Sequence, residues 1–314
     1  MTNRIQRFIA FLLVLCIPIF AIAGCTNNDV ANAANQVTTN ANGTYSIDTK
    51  TTTPEGNLDV YMLDIGQGDA ILLKVGDEYS MIDTGDIEHR ENIVAQLKTM
   101  GVTKLKNIII THPHADHMGG FYAIAKAMPI EHVYDDGIAV DNNMYKTYEK
   151  WIEKNKIQRT TLRSGDVVDF GHGAVFVVYA PWVEPLTDKK GETDLNNNSI
   201  VGKLIFGKFS MLFTGDAEWQ EEKKLIKEQN SRLFSRILKV GHHGSRTSSS
   251  EDFLKSIKPE SALISNGMYN KYGHPHDVTL RRLQENNIAI YRTDTMGRIH
   301  ISTDGNEWQI TTER

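Results

Sequence analysis

From residue 58 onward the chain alternates short apolar runs with polar turns. Residues 58–63, 70–75 and 79–82 carry the β-branched, aliphatic and aromatic side chains of strands. Gly66-Gln67-Gly68 and Gly76-Asp77 separate them, which predicts an antiparallel meander at the start of the folded region. Between Glu91 and Met100 the period changes. Ile93, Val94, Leu97 and Met100 recur at helical spacing, and Gly101 follows as a C-cap. Asn107-Ile108-Ile109-Ile110 is a continuous apolar run, read as a strand buried on both faces. Further strands are predicted at 174–179, 199–205, 210–214, 237–240 and 261–264, and helices at 119–128, 144–155, 218–229, 249–257 and 278–286. The mixed charges from Glu218 to Lys227 read as the solvated face of a helix. Strand-rich halves with interleaved helices imply an α/β fold: two packed sheets with helices on their outer faces.

The N-terminal end is different. Arg4 and Arg7 precede an almost wholly apolar stretch, 8–22, and Ile22-Ala23-Gly24 lead into Cys25. This is the layout of a signal peptide over residues 1–24. A retained membrane helix is the alternative, but the stretch is shorter than the roughly 20 residues that span a bilayer. The ending resembles a bacterial lipobox, which implies lipidation of Cys25, a membrane-lipid partner and a location on the extracellular face of the membrane. Residues 25–56 are rich in Asn, Thr, Ala and Gly, so a disordered tether is expected there, with one folded domain over 57–314.

Composition adds two constraints. The 2 cysteines are Cys16 and Cys25, and the first lies in the segment to be removed. No disulfide is therefore expected, and a metal site must be built from histidines and carboxylates. Loss of Arg4 and Arg7 with the leader would take the formal charge from −5 to −7. A net acidic protein has no overall field for holding DNA, so nucleic-acid binding would need a local basic patch.

The densest chemistry follows the buried strand: Thr111-His112-Pro113-His114-Ala115-Asp116-His117-Met118-Gly119-Gly120. In an extended segment His112 and His114 project to one side and reach one ion. Asp116 and His117 follow where the chain turns toward a helix and can face a second. Imidazole and carboxylate suit zinc, and also manganese or iron. A lone histidine in a polar loop reads as an accident of composition. Four such groups in six residues, at the end of an apolar strand, do not.

This segment resembles the signature of the metallo-β-lactamase superfamily. Met81-Ile82-Asp83-Thr84-Gly85, Met211-Leu212-Phe213-Thr214-Gly215-Asp216 and Leu238-Lys239-Val240-Gly241-His242-His243-Gly244-Ser245 resemble further motifs of that family, in order. A nearer likeness is to the extracellular hydrolase domain of ComEC-type competence channel proteins and its stand-alone relatives. Met62-Leu63-Asp64-Ile65-Gly66-Gln67-Gly68-Asp69-Ala70, Asn197-Asn198-Ser199-Ile200-Val201 and Tyr272-Gly273-His274-Pro275 carry it, over about residues 58 to 300. The long run of membrane helices of the channel protein lies outside the likeness, so DNA transport is not implied.

The resemblance implies an αβ/βα four-layer sandwich and a hydrolase holding two divalent ions, zinc first and manganese as the alternative. His112, His114, Asp116, His117 and Asp216 would be ligands, with Asp216 bridging and Asp116, His117 and Asp216 catalytic. Many members carry one more histidine between the His-rich motif and the bridging aspartate. Here that interval holds His132 and His172 in unmatched contexts, and Asn197-Asn198-Ser199 occupies the expected position. His242, His243 or His274 would then fill the vacancy, although each also reads as a turn or supporting residue. Asp83 would orient the ligand loop by hydrogen bonds. Asp69 would do the same, or cap the backbone after its Gly-rich turn.

Asn198 and Ser199, with backbone amides near Gly244-Ser245, offer neutral donors suited to phosphate oxygens, which makes Asn198, Ser199 and Ser245 the candidate substrate-binding residues. Lys239 reads either as a substrate cation or as an exposed lysine, and His89, His276 and His300 as surface or turn residues. Phosphodiester hydrolysis, with extracellular DNA as substrate, leads the expectations. A teichoic-acid-type wall phosphodiester, a lactone or β-lactam, and a non-catalytic metal-containing binding module are the alternatives. Structural zinc sites are closed and often cysteine-rich, so a cysteine-free cluster with carboxylates points to catalysis.

Overall fold

The computed structural model describes residues 53–314 and the backbone of β1 (Val37–Thr39) and β2 (Tyr45–Ile47), which pair antiparallel. The expected leader and Cys25 lie outside the described residues. Part of the expected tether is ordered against the body, where the Glu55 N–H donates to the His172 carbonyl at 3.0 Å. Among the described residues no helix is long and apolar enough to cross a membrane.

In the first sheet, β3 (Leu58–Met62), β4 (Ala70–Val75) and β5 (Glu78–Thr84) form the antiparallel meander. The strands β6 (Leu105–Ile109), β7 (Ile130–Asp135) and β8 (Gln158–Thr161) extend it in parallel. The second sheet opens with antiparallel β9 (Val167–Gly171), β10 (Ala174–Ala180), β11 (Val201–Phe206) and β12 (Phe209–Phe213). It continues in parallel through β13 (Ile237–Lys239), β14 (Ser261–Ile264) and β15 (Ala289–Arg292). The chain then returns to the first sheet: β16 (Ile299–Thr303) pairs with β3, and β17 (Trp308–Thr312) forms the edge.

Alternation along the strands divides the side chains of each sheet between a shared central core and an outer core of its own, three in all. Val60, Met62 and Leu73 of the first sheet meet Phe176, Leu204 and Met211 of the second in the central layer. Leu72, Met81 and Ile108 point the other way and bury with Ile93, Phe121 and Tyr148 from the helices Arg90–Thr99, Phe121–Ala127 and Asn143–Asn155. Val175, Leu212 and Leu238 do likewise with Leu225, Phe253 and Leu283 of the helices Trp219–Gln229, Glu251–Ile257 and Asp277–Glu285. The result is the expected four-layer sandwich, and each fully buried aliphatic or Phe side chain adds about 1.5–3 kcal/mol.

Several elements differ from the sequence reading. The strand β8 reads Gln-Arg-Thr-Thr and lies at a sheet edge, so it has no apolar pattern to announce it. The expected helix at 119–128 is two pieces, Ala115–Met118 and Phe121–Ala127, with Gly119-Gly120 between them. A side chain at Gly120 would overlap the Thr84 carbonyl, so the junction is packed directly on the end of β5.

The reading of 218–227 as a solvated face is corrected at Glu221 and Glu222, which are fully buried. Glu222 accepts the backbone N–H groups of Ser249 and Ser250, at the start of the helix Glu251–Ile257. It thereby satisfies donors that the helix cannot. Burial raises the Glu222 carboxyl to about 7, against the lowering effect of those bonds.

A pKa raised on folding means that stability from this group is complete below the unfolded value and is lost as pH rises to about 7. A shift of this size corresponds to about 3 kcal/mol. Urea denaturation from pH 4.5 to 8 is expected to show a flatter stability profile for Glu222→Gln than for the wild type.

Candidate metal centre

The strands β5, β6, β12 and β13 deliver their C-terminal ends to one edge of the sandwich. At the end of β5, Asp83 adopts φ 58°, which turns its carboxylate beneath the next strand end. It accepts the Thr111 N–H at 2.7 Å, the Thr111 Oγ1–H at 2.8 Å and His117 Nδ1 at 2.7 Å. Holding the proton on Nδ1 leaves His117 Nε2 free to act as a ligand, the usual effect of a carboxylate behind a histidine.

Asp216, just beyond β12, lies at the middle. Its Oδ1 faces His117 Nε2 at 3.2 Å and His243 Nε2 at 3.5 Å, while its Oδ2 faces His112 Nε2 and His242 Nε2, each at 3.7 Å. Two donor sets result, each with its ligand atoms within 4.8 Å of one another: His112, His114 and Asp216, and Asp116, His117, Asp216 and His243. His112 Nε2 and His114 Nδ1 confront each other at 3.0 Å. Two imidazole nitrogens this close require a proton or a shared cation between them.

His117 Nε2, His243 Nε2 and Asp216 Oδ1 are all buried without a hydrogen-bond partner. Buried polar atoms are normally paired, so three atoms that face one another without a hydrogen bond are suited to holding a cation. Divalent metal therefore suits this donor set of nitrogen and oxygen.

His242 and His243 adopt φ 47° and 53°, followed by Gly244 at 85°. Non-glycine residues in the left-handed region cost about 1–3 kcal/mol each and collect at functional sites. Here the conformation splays adjacent imidazoles toward different oxygens of Asp216. His242 Nδ1 is held by Glu218 Oε1 at 3.0 Å, and His243 Nδ1 by the Ser265 carbonyl at 2.9 Å.

Charge is arranged accordingly. Burial opposes ionisation of Asp116, but the His243 imidazole 3.3 Å away and the charge of His117 outweigh it and hold the carboxyl well below its usual range. Burial lowers His243, and the carboxylates of Asp216 and Asp69 more than reverse this, to about 10. Asp116 thus stays ionised at neutral pH, while a metal must displace a proton from His243.

Asp69 supports the centre from below. Its Oδ2 meets Lys239 Nζ at 2.7 Å, its Oδ1 lies 3.4 Å from His243 Nδ1, and both Asp69 and Lys239 are only 1% exposed. Burial raises the Asp69 carboxyl, and Lys239 with His243 overcomes that, lowering it to about 2. The turn before it needs Gly68, where φ is 121° and a Cβ would sit 2.5 Å from the Asp116 carbonyl. Lys239 is therefore neither a substrate cation nor an exposed lysine. A lysine inside Ile-Leu-Lys-Val was the available signal of a buried charge with a distant partner.

The substrate roles expected for three residues are also corrected. Asn198 is buried and its amide is spent on the Leu186 backbone and the Asp194 carbonyl. Ser199 Oγ accepts the Asp216 N–H at 3.1 Å and lies 3.4 Å from His112 Nδ1, so it braces ligands. The Ser245 N–H donates to the His242 carbonyl at 2.8 Å and its Oγ is paired with Thr247 inside the loop. His274 lies beside the donor sets, its ring 5.5 Å from that of His242 and its Nδ1 buried and unpartnered. Sequence reasoning missed Glu218, whose carboxylate also accepts from Thr247 Oγ1 at 2.8 Å.

Comparison with known proteins agrees with this geometry. The family model of the metallo-beta-lactamase superfamily matches residues 63–267. Competence protein ComA of Neisseria gonorrhoeae is 30% identical over 247 residues, covering 78% of this chain and 32% of that protein. ComE operon protein 3 of Bacillus subtilis is 29% identical over 264 residues, covering 78% and 33%. The chain thus spans about a third of the length of these curated relatives. Among solved structures, the metallo-beta-lactamase fold protein YhfI of Bacillus subtilis superposes with a TM-score of 0.54 at 10% identity, covering 78% of this chain and 100% of that one. At that identity the likeness is one of fold.

Breaking a buried ion pair by removing one partner typically costs about 3–5 kcal/mol. Lys239→Met is expected to destabilise by that order in chemical denaturation. Adding Asp69→Asn should recover more than half of the loss, because the uncompensated carboxylate is then gone.

Proposed function

Because the chain belongs to the metallo-beta-lactamase superfamily, a family of metal-dependent hydrolases, we propose that its centre is a two-metal phosphodiesterase acting on nucleic acid. The observation that carries this reading is Asp216, with one oxygen toward each of two donor sets. His112, His114 and Asp216 would hold one ion, with His242 beside Asp216 Oδ2 in place of the missing histidine. Asp116, His117, His243 and Asp216 would hold the other. Zinc is proposed first and manganese second.

Divalent ions in such a pair supply Lewis-acid polarisation of a phosphoryl oxygen and bring the pKa of water toward neutrality. The chain's own groups do the rest. Asp116 is the partly exposed carboxylate of the set, and its depressed pKa keeps it ionised at neutral pH, so that it would orient an attacking water by accepting a hydrogen bond from it. His117 and His243 are locked from behind by Asp83 and by the Ser265 carbonyl, so their Nε2 atoms keep their aim. Glu218 does the same for His242 at the mouth.

The nucleic-acid substrate is supported by kinship with proteins named for competence. The signal-peptide pattern and the Ile22-Ala23-Gly24-Cys25 ending support a lipid anchor through Cys25 and an extracellular site of action.

Purified protein is expected to hydrolyse bis-p-nitrophenyl phosphate and linear DNA with zinc or manganese, and to lose both activities to a chelator. Loss of partners one layer out from a metal typically costs 10–100-fold, so Asp116→Ala/His117→Ala should fall by at least roughly 100-fold while keeping its fold by circular dichroism. Inertness of the metal-loaded wild type on both substrates would overturn the reading. Cleavage of the small diester without DNA would move the substrate toward a wall polymer.

A further inference from the structure

The loop after β14 carries side chains that the metal centre does not use. It is pinned from within by Asn270, which donates to the carbonyls of Gly267 at 2.8 Å and His274 at 2.6 Å. The same side chain accepts the N–H groups of Tyr272 at 3.2 Å and His274 at 2.9 Å. Gly267 is docked on the turn leading to Asp69, where a Cβ would meet the Gln67 nitrogen at 2.8 Å. On this ordered loop Met268, Tyr269 and Tyr272 face solvent, Tyr269 being 97% and Tyr272 51% exposed. Three large side chains exposed within residues 268–272 give this loop an apolar and aromatic outer side.

The surface leads into the centre. The Tyr272 ring lies 5.6 Å from that of His274 at 24°, and His274 lies 6.3 Å from His243 at 27°. Trp219, also half-exposed, follows Glu218, the partner of His242. The Arg282 guanidinium lies 5.7 Å over the Trp219 ring, and Lys271 Nζ lies 5.1 Å over Tyr272. Arg246 is exposed nearby, its N–H donating to His276 Nδ1 at 3.0 Å. Asp277 is an exposed acid among these cations, whereas the turn packed on Gly119 carries Asp86 and Glu88.

We propose that Tyr269, Tyr272 and Trp219 form a stacking platform for unpaired bases, which makes single-stranded nucleic acid, rather than duplex, the substrate of this centre. The proposal rests on the phosphodiesterase reading. Aromatic faces interleaved with Lys and Arg take bases and phosphates of a single strand without regard to sequence. In a duplex those base faces are already stacked. Backbone charge alone binds duplex poorly to an acidic chain, because that affinity depends on neutralising phosphates. Stacking supplies the affinity that net charge does not.

The test is fluorescence anisotropy of the full chain with a short labelled single strand, an abasic strand of equal length, a duplex, and a glycerol phosphate polymer. The single strand is expected to bind about tenfold more tightly than the other three. Tyr272→Ala and Tyr269→Ala should remove most of that preference, and Tyr272→Trp should keep it. Equal affinity for abasic and base-bearing strands, a preference for duplex, or tighter binding of the polymer would each overturn the platform. Turnover of methyl p-nitrophenyl phosphate by the same preparation checks the phosphodiesterase reading separately. Turnover without base-dependent binding removes the platform alone, whereas base-dependent binding without turnover overturns the phosphodiesterase reading and the substrate assignment with it, leaving only a binding surface.

Discussion

Asp216 is a buried carboxylate with histidine nitrogens facing both of its oxygens, and the surrounding structure is organised around keeping it ionised and correctly aimed. Burial opposes its charge, but His117 and His243 hold its carboxyl well below the usual range. Its backbone N–H is received by Ser199, and the adjoining Thr214 Oγ1 donates to the Lys239 carbonyl at 2.7 Å. His117 Nε2, His243 Nε2 and Asp216 Oδ1 are buried and take no hydrogen bond from the protein, so the donor set is suited to a cation, the partner that best offsets burial of such atoms in a low-dielectric interior.

The two sheets must be held in register for this to work, because each contributes ligands. Three contacts do so near the centre. The Ile200 N–H donates to the Thr111 carbonyl at 2.8 Å, Ser265 Oγ donates to the Gly68 carbonyl at 2.7 Å, and Lys239 meets Asp69. All lie in the interior, where water does not compete and a hydrogen bond resists displacement. Loops built this way are rigid on their inner side, so ligand positions follow from the packing of β5, β6, β12 and β13. Preorganisation of this kind is what stabilises developing charge without a reorganisation cost.

The same edge of the sandwich shows a division of labour. Inner residues are acids and histidines, matched to metal and water, while outer residues on the 266–274 loop and at Trp219 are aromatic and cationic. An acidic chain can therefore act on a polyanion if recognition is local. The ordinary phosphate-field argument from net charge excludes tight general binding, not a small basic and aromatic mouth.

The sequence by itself determined the fold and the candidate donor residues that meet at its edge. His112, His114, Asp116, His117 and Asp216 lie at the ends of apolar runs, and strand ends in a layered α/β fold are where such groups converge. Period-two and helical patterns located most of the central strands and most helices, because burial imposes that spacing locally. The interior strands β7 and β16 escaped, and so did edge strands such as β8, since an exposed strand needs no apolar alternation. Only the tertiary structure decided that Lys239 is an internal counter-ion, that Glu222 receives a helix terminus, and that Asn198, Ser199 and Ser245 brace backbone rather than substrate. Those roles depend on partners far away in the chain, as with Ser265 and Gly68 across 197 residues. A side chain's type states what it can bond to, whereas burial and the neighbour that packing supplies decide whether the bond is spent inside the protein or left for a ligand.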